Sequence, residues 1–368
     1  MLYVFIFLIG VLFLGYIVLN YYPAFGGKQS EEKRTRFNES PQFRNGRFTN
    51  QVPTSWDTGL GSMFSMMKDF IKGNRERKPR TQLPMASFFP GSHVKGGNAR
   101  ITWFGHSAFL LEIEGKSILV DPMFGRAPSP FPMFGGKRYS GTLPFEIEEM
   151  PIIDAVLLSH DHYDHLDYGS IMKLKEKVKQ YFVPLGVGSH LERWGVSSEK
   201  ISEHDWWSDF SCGGLQFVCA PARHFSGRSL TDRDSTLWCS WVISGQHSKI
   251  YFSGDGGYGP HFKEIGEKYG PFDMTLMECG QYDERWAELH MMPEETVQAH
   301  IDVKGKVMIP VHWGAFTLSL HSWHDPVERA VKAANESGVE IATPRIGEPV
   351  TAGSERNPSS AWWRLAKD

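Results

Sequence analysis

A short stretch behind an apolar run gathers residues that commonly bind metal ions. In "LLSHDHYDHLDYGSI", residues 157–171, His160 and His162 alternate, and Asp164 and His165 are adjacent. Imidazole and carboxylate groups are the ligands that suit Zn²⁺ and related ions. A loop that leaves a strand end can turn the first pair toward one point and the second pair toward a neighbouring point. The spacing therefore favours two adjacent metal sites over a surface cluster of polar loop residues.

Further candidate ligands follow other apolar runs in the same manner. His224 comes after "VCAPAR", Asp255 lies in "IYFSGDGGYG", and His312 follows "VMIPV". A lone histidine after a strand is more often structural than a ligand, but these positions come in order behind the first motif. Together they favour one shared site. The glycines around Asp255 would let the backbone pack closely beside a cofactor or substrate.

Two more histidines are weaker candidates. His290, in "ELHMMPEE", precedes a predicted helix whose N-terminal amides favour anions, so it is predicted either to contact an anion or to be structural. His106, in "WFGHSA", could orient a ligand or the hairpin. A buried structural role is favoured for His106.

The elements that must position these residues indicate a layered α/β fold. From residue 100 onward, "ITWFGHSAFLLEIEGKSILVDP" predicts short strands broken at Gly105 and at "EGK". "DAVLLSH" reads as a buried strand and "GSIMKLKEKVKQ" as an amphipathic helix. Later strands alternate with the predicted helices "HFKEIGEKYG", "PEETVQAHIDV" and "PVERAVKAANESG". This order predicts two sheets with helices outside.

The first 22 residues, "MLYVFIFLIGVLFLGYIVLNYY", carry no charged side chain. A membrane-spanning helix needs about 20 such residues, so we predict a transmembrane anchor over residues 1–22. A cleaved signal peptide is the alternative, but its charged n-region is missing and "PAFGG" is a poor cleavage site. Basic residues follow the span and none precedes it, which favours a cytoplasmic location for the bulk of the chain. These residues are Lys28, Lys33, Arg34, Arg36, Arg44 and Arg47.

Residues 23–85 are predicted to be a linker and N-terminal extension with one short amphipathic helix. In "GSMFSMMKDFIKGNRERKPR", Met63, Met67, Phe70 and Ile71 recur at helical spacing. This helix is predicted either to pack on the main domain or to lie in a membrane interface, with basic neighbours against anionic headgroups. Residues 86–368 would then form the main domain.

Composition bears on partners and on cysteine chemistry. The chain has 368 residues and a formal net charge of −3, which argues against a nucleic-acid binder that relies on bulk positive charge. Its four cysteines form no Cys-x-x-Cys pair, so they are predicted to be reduced, mostly buried thiols. They are Cys212, Cys219, Cys239 and Cys279.

These motifs resemble those of the metallo-β-lactamase superfamily, whose HxHxDH motif is matched by residues 160–165. More narrowly, the chain is similar to the N-acylphosphatidylethanolamine phospholipase D family in stretches spread over residues 46–316. They include "GRFTNQVPTSW", "PMFGRAPSP", "HDWW", "LTDRDSTLWCSW", "GDGGYGPHFKEIGEKYGPFD" and "IPVHWGAF". The resemblance implies a metallo-β-lactamase αββα sandwich, here with an N-terminal transmembrane helix, and two Zn²⁺ ions.

The resemblance also implies roles for individual residues. One zinc would be held by His160, His162 and His224, and the other by Asp164, His165 and His312, with the catalytic Asp255 bridging both. His290 would contact phosphate as a second catalytic residue. Such a pair of metals can activate water for attack on phosphorus, so no protein nucleophile is required. Animal relatives lack an obvious N-terminal span, and "HWGAFTLSLHSWHDP" diverges after its first residues, which puts the acyl-chain preference in doubt.

The predicted function is a membrane-anchored zinc phosphodiesterase that hydrolyses N-acylphosphatidylethanolamine to N-acylethanolamine and phosphatidic acid. Its predicted location is the cell membrane, and its partners are a phospholipid substrate and the membrane, with a homodimer as a possible assembly and no nucleic acid. A lactonase or a soluble phosphodiesterase is the alternative. A scaffold with a vestigial site is disfavoured by the complete ligand set. An iron redox protein is disfavoured because His162 stands where that branch carries glutamate.

Overall fold

The computed structural model of the protein describes residues 2–55, 59–88 and 97–366. Trp56, which ends one of the motif stretches above, lies outside the described residues. The α-helices in these ranges are α1 (Leu2–Tyr21), α2 (Glu31–Phe37), α3 (Leu60–Lys72), α4 (Tyr168–Leu174), α5 (Gly188–Arg193), α6 (His261–Lys268), α7 (Pro293–Asp302) and α8 (Asp325–Ser337). The first strands are β1 (Phe43–Arg44), β2 (Arg47–Phe48), β3 (Arg100–Trp103), β4 (Phe109–Ile113), β5 (Lys116–Val120), β6 (Ile153–Leu157), β7 (Val178–Pro184) and β8 (Ile201–His204). The later strands are β9 (Ser208–Cys212), β10 (Leu215–Ala220), β11 (Ser240–Ser244), β12 (Lys249–Phe252), β13 (Phe272–Glu278), β14 (Gly305–Val311), β15 (Glu340–Ile341) and β16 (Pro349–Thr351).

Two seven-stranded sheets form the centre of the molecule. One has the order β16-β3-β4-β5-β6-β7-β8 and the other β15-β14-β13-β12-β11-β10-β9. In the first sheet β16, β3, β4 and β5 are antiparallel and β5 to β8 are parallel. In the second sheet β12 to β15 are parallel and β9 to β12 are antiparallel. Each sheet therefore joins hairpins on one side to crossover connections on the other.

Alternation of side chains along the strands explains the layers. In β4, Phe109 and Leu111 belong to a core cluster shared by both sheets, whereas Leu110 packs in a cluster with α4 and α5. In β11, Trp241 belongs to the shared core and Val242 to a cluster with α6, α7 and α8. The helices therefore cover the outer faces of the two sheets. This order of layers confirms the predicted αββα sandwich.

Most local predictions for the main domain match the structure, with one correction. The strands around Gly105 and "EGK" are β3, β4 and β5, and the three later helices are α6, α7 and α8. The helix predicted for "GSIMKLKEKVKQ" is wrong in its second half, because α4 ends at Leu174 and β7 begins at Val178. β7 pairs with β6 and β8 inside the sheet, and that pairing prevails over the local helical pattern.

The cysteines follow the prediction of mostly buried thiols. Cys219, Cys239 and Cys279 are buried and Cys212 is half-buried, and all four are free. Cys219, Cys239 and Cys279 belong to the core cluster shared by the two sheets. In this chain they act as small core residues.

The N-terminal helix stands apart from the core, whereas the segment after it does not. α1 has no buried residues in its apolar window and is long and apolar enough to cross a membrane, as an anchor or a signal sequence would be. Just beyond it, Trp194 Nε1 donates to Pro23 O at 2.7 Å. Phe37 and Phe48 are buried in the shared core. Residues 23–55 thus pack on the sandwich; the division into residues 23–85 and 86–368 stays a prediction.

Candidate metal centre

The candidate residues leave several strands at one edge of the sandwich. His160 follows β6, Asp255 follows β12, and His312 follows β14 directly. Carboxyl ends of parallel strands meet at the same edge of a sheet, and loops there carry functional side chains. His224 reaches the same edge from the loop after β10. The two sheets therefore contribute to one centre.

His160, His162 and His224 form a first donor group, in which one ring nitrogen from each lies within 4.8 Å of the others. His162 Nδ1 lies 2.9 Å from His160 Nε2 and 3.2 Å from His224 Nε2. His224 Nδ1 lies 3.0 Å from Leu289 O and donates to it, so His224 Nε2 carries a lone pair. Burial lowers the pKa of His162 to about 4 and the pKa of His224 well below its usual value. Neutral imidazoles are the form that binds metal.

A second donor group contains Asp164, His165 and His312, and His106 joins it. Asp164 Oδ2 lies 3.5 Å from His165 Nε2 and 2.8 Å from His106 Nε2. The His106 ring lies beside the His312 ring, with centroids 4.2 Å apart. His106 is fully buried, and it contacts a candidate ligand directly instead of standing apart from the centre.

Asp255 lies between the two groups. Its Oδ2 is 2.9 Å from His165 Nε2 and 3.9 Å from His160 Nε2, and its Oδ1 is 3.1 Å from His312 Nδ1. Burial raises the pKa of Asp255 to about 7, and a bound cation would favour the carboxylate. Gly254 has φ 60°, and a Cβ there would lie 2.5 Å from Cys239 O. Gly254 therefore allows a close approach of protein backbone. The sequence had suggested a close approach of a cofactor or substrate instead.

The donor set fits divalent cations. Within residues 2–55, 59–88 and 97–366, His165 Nε2 and Asp255 Oδ1 are buried, and although each lies close to another candidate ligand, neither has a hydrogen-bond partner of acceptable geometry. Buried polar atoms in folded proteins nearly always have one. Coordination to a cation would satisfy both atoms, and imidazole nitrogen with carboxylate oxygen is a donor set that suits zinc.

Two supporting residues, Asp121 and Ser159, escaped the sequence analysis. Asp121 Oδ2 lies 2.7 Å from His165 Nδ1 and accepts from Ser159 Oγ at 2.5 Å. Since that hydroxyl donates to Asp121, it accepts from His160 Nδ1 at 2.9 Å. One carboxylate thus turns the Nε2 atoms of both histidines toward the centre. Asp121 follows an apolar strand, the same signal that identified Asp255.

His290 lies at the rim of the centre, three residues before α7. Its ring stacks on His312 with centroids 5.2 Å apart, and its side chain is 15% exposed. His290 Nδ1 lies 2.7 Å from Oε1 of Glu278, a buried carboxyl group at the end of β13 that the sequence analysis missed. Burial lowers the pKa of His290 and raises the pKa of Glu278 well above its usual value. The other ring nitrogen of His290 is left to face the site.

Four residues at or near the centre have left-handed backbone. The φ angles are 56° at His106, 40° at Asp121, 63° at Gln281 and 66° at His312. Such conformations are unfavourable for residues with a Cβ and persist where the surrounding structure fixes them. His106 and His312 are fixed mutually, because His312 N donates to His106 O at 2.9 Å and His106 N donates to Trp313 O at 2.9 Å.

Comparison with known proteins identifies the family of the chain. The family model of the beta-lactamase superfamily domain matches residues 116–313. The chain belongs to the metallo-β-lactamase superfamily. An uncharacterized protein of Mycobacterium tuberculosis is 40% identical over 353 residues, which cover 93% of this chain and 92% of that protein. The N-acyl-phosphatidylethanolamine-hydrolyzing phospholipase D 1 of Caenorhabditis elegans is 34% identical over 291 residues, which cover 74% of this chain and 81% of that protein.

A solved structure supports the fold. A metallo hydrolase from Ignicoccus hospitalis aligns with a TM-score of 0.52 at 20% identity, covering 70% of this chain and all of that one. This likeness concerns the sandwich alone. Together with the His/Asp donor groups, membership of the superfamily makes the protein a metal-dependent hydrolase of the β-lactamase fold.

Proposed function

We propose that the protein is a membrane-anchored, zinc-dependent phosphodiesterase of phospholipase D type. Its substrate would be N-acylphosphatidylethanolamine, and its products N-acylethanolamine and phosphatidic acid. The observation that carries the proposal is the pair of donor groups that meet at Asp255. The substrate comes from the similarity to the Caenorhabditis elegans phospholipase D.

The proposed ligands fall into two sets with one shared residue. His160, His162 and His224 would hold one zinc ion, Asp164, His165 and His312 would hold the other, and Asp255 would contact both. Two such ions, when bound, would neutralise charge on the phosphate oxygens and supply an activated water for attack on phosphorus. Asp121 keeps the Nε2 atoms of His160 and His165 turned toward the centre.

His290 is the proposed substrate contact. Glu278 fixes its Nδ1, so its Nε2 can donate a hydrogen bond to a phosphate oxygen. Its exposed edge makes that nitrogen reachable from outside, whereas His165 and His312 are fully buried. His290 would therefore orient the headgroup phosphate over the centre.

The N-terminal helix would keep the enzyme on its substrate's membrane. α1 exposes its apolar side chains throughout, as a helix in lipid requires, and basic residues follow it. By the positive-inside rule, the catalytic domain would then lie in the cytoplasm. A protease-protection assay tests this orientation, and light scattering of the solubilised protein tests the proposed homodimer.

The activity test uses the full-length protein in mixed micelles with N-acylphosphatidylethanolamine. We expect release of N-acylethanolamine, loss of that activity after chelation, its recovery with Zn²⁺, and its absence in Asp255→Asn. A panel of lactones and soluble phosphodiesters runs in parallel. If the protein binds two metals but hydrolyses only a lactone or a soluble diester, the proposed metal centre would be supported and the proposed lipid substrate would be wrong.

A further inference from the structure

Helix α3 presents its apolar side chains away from the protein. These residues recur at helical spacing and are exposed: Met63 (51%), Met66 (41%), Met67 (56%), Phe70 (66%) and Ile71 (77%), with Phe64 (69%) beside them. A surface helix of a globular domain normally turns such a stripe toward the core. In α3 the stripe is exposed and is not buried against the described residues.

An ion pair joins the polar side of α3 to the rest of the protein. Asp69 accepts from Arg285 Nη1 at 3.0 Å. Beyond the helix, Arg77 donates to Ser319 O through Nε at 2.9 Å and Nη2 at 2.7 Å. The same guanidinium lies 5.5 Å from the centre of the Phe70 ring. The polar side of α3 thus contacts the rest of the protein through Asp69, and the apolar stripe stays exposed apart from the contact of Phe70 with Arg77.

A second exposed apolar patch lies beside the end of α1. Met133 is 89% exposed and Phe134 is 68% exposed. In the same loop, Phe131 stacks on Tyr22 with ring centroids 4.9 Å apart, and Tyr22 directly follows α1. The patch is therefore next to the point at which the proposed membrane span ends.

Both patches adjoin the loop that follows the candidate ligand His312. The Tyr139 hydroxyl, at the end of the loop that carries Phe134, lies 2.7 Å from Thr317 Oγ1 and donates to Arg77 O at 3.1 Å. Thr317 Oγ1 also donates to Arg77 O at 3.0 Å. The loop that carries Met133 and Phe134, the loop after β14 and the segment after α3 are thus connected through Tyr139, Thr317 and Arg77.

The charge beside the stripe is positive. The exposed basic residues of α3 and the segment after it are Lys68, Lys72, Arg75, Lys78 and Arg80. In the described ranges none of the five forms an ion pair, whereas the acidic Asp69 is paired with Arg285. Apolar side chains flanked by unpaired basic groups match the surface of an anionic bilayer.

We propose that the α3 stripe together with Met133 and Phe134, here called the docking face, rests on the surface of the anionic bilayer that α1 spans. The inference depends on the proposed membrane anchor. It adds that the sandwich is held in one orientation, with the loop after His312 close to the lipid headgroups. A phospholipid headgroup could then reach the metal centre with little displacement from the bilayer.

The test uses full-length protein in nanodiscs of phosphatidylcholine with phosphatidylglycerol. An environment-sensitive fluorophore is attached to a cysteine introduced as Leu12→Cys, Ile71→Cys, Phe134→Cys or Lys332→Cys, one at a time. Cys212→Ser is the background, because Cys212 is the half-buried thiol and the other three are buried. Nitroxide-labelled lipids report contact with lipid, and iodide reports contact with water.

We expect lipid quenching at positions 12, 71 and 134, and iodide quenching at position 332, which lies on exposed α8 surface. If position 12 contacts lipid and positions 71 and 134 contact water, the proposed docking face is wrong and the proposed membrane anchor is supported. Water contact at position 12 would overturn both. If neither lipid nor iodide quenches the fluorophores at positions 71 and 134, and this protection increases with protein concentration, the docking face binds a second copy of the protein. That result would contradict the proposal.

A kinetic comparison separates docking from chemistry. The triple variant Phe64→Ser, Phe70→Ser, Ile71→Ser should lower the hydrolysis rate on anionic vesicles by about tenfold, because it removes apolar surface from the docking face. Its rate on a short-chain, water-soluble phosphodiester should equal that of the parent. An equal loss on both substrates would show that the variant damages the fold or the centre, and an unchanged vesicle rate would contradict the docking face.

Discussion

His106 Nε2 lies 2.8 Å from Asp164 Oδ2, while His106 Nδ1 is buried without a hydrogen-bond partner among the described residues. We predict that His106 positions this carboxylate for metal binding. His106→Asn should be tolerated by the left-handed backbone at φ 56° but is too short to keep the contact. It should weaken one of the two proposed zinc sites by about 10- to 100-fold, measured as zinc retained against a chelator.

His106→Gln provides the matched variant, since its longer side chain can again donate to Asp164. Partial recovery of zinc affinity is expected in Gln relative to Asn. Equal zinc retention in the parent and His106→Asn would show that the contact has no part in metal binding.

Asp121 should affect the affinity of both proposed zinc sites, because it orients His160 through Ser159 and contacts His165 directly. Asp121→Asn replaces a charged acceptor with a neutral one and should weaken each zinc by about 10-fold or more. Chelator competition measures both affinities. Asp209→Asn, at an exposed carboxylate, is the control. Loss confined to one zinc would argue against a shared orienting role.

The sequence located the candidate ligands better than the residues that orient them, for physical reasons. Asp255 and His312 could be found because a polar residue follows an apolar strand and strand ends meet at one edge. Glu278 carries the same signal but was overlooked. The role of His106 depends on how the loop after β3 pairs with Trp313, a contact across more than 200 positions that no local pattern contains. Likewise, the spacing in α3 predicts an apolar stripe but not the direction in which it faces.

Acid sensitivity should arise in part from a histidine outside the metal centre. Buried His300 lies 2.7 Å from Thr275 Oγ1, and burial lowers its pKa from 6.5 to about 4. As the pH falls below 6.5, His300 binds a proton in the unfolded chain but stays neutral in the folded chain. The free energy of unfolding therefore decreases until about pH 4. The slope from this residue is at most about 1.4 kcal/mol per pH unit.

Urea unfolding of metal-free protein between about pH 7.5 and pH 5 measures this slope. His300→Asn should make it shallower, and His247→Asn, at an exposed histidine, should not. Identical slopes in the parent and His300→Asn would contradict the assignment.

Gly27 joins the segment after α1 to the loop that carries the first donors. Gly27 N donates to His190 Nδ1 at 3.0 Å, and His190 Nε2 lies 3.3 Å from Asp161 Oδ2. A Cβ at Gly27 would overlap Ser189 O, so Gly27→Ala must displace the segment. The free energy of unfolding of the variant, measured in urea on the detergent-solubilised full-length protein, should be lower by about 1–3 kcal/mol.

The affinity for zinc should fall too, because Asp161 lies between two proposed ligands. Gly61→Ala, with open space around its Cβ, should lose neither. Reduced stability with unchanged zinc affinity would mean that the segment supports the fold without influencing the centre.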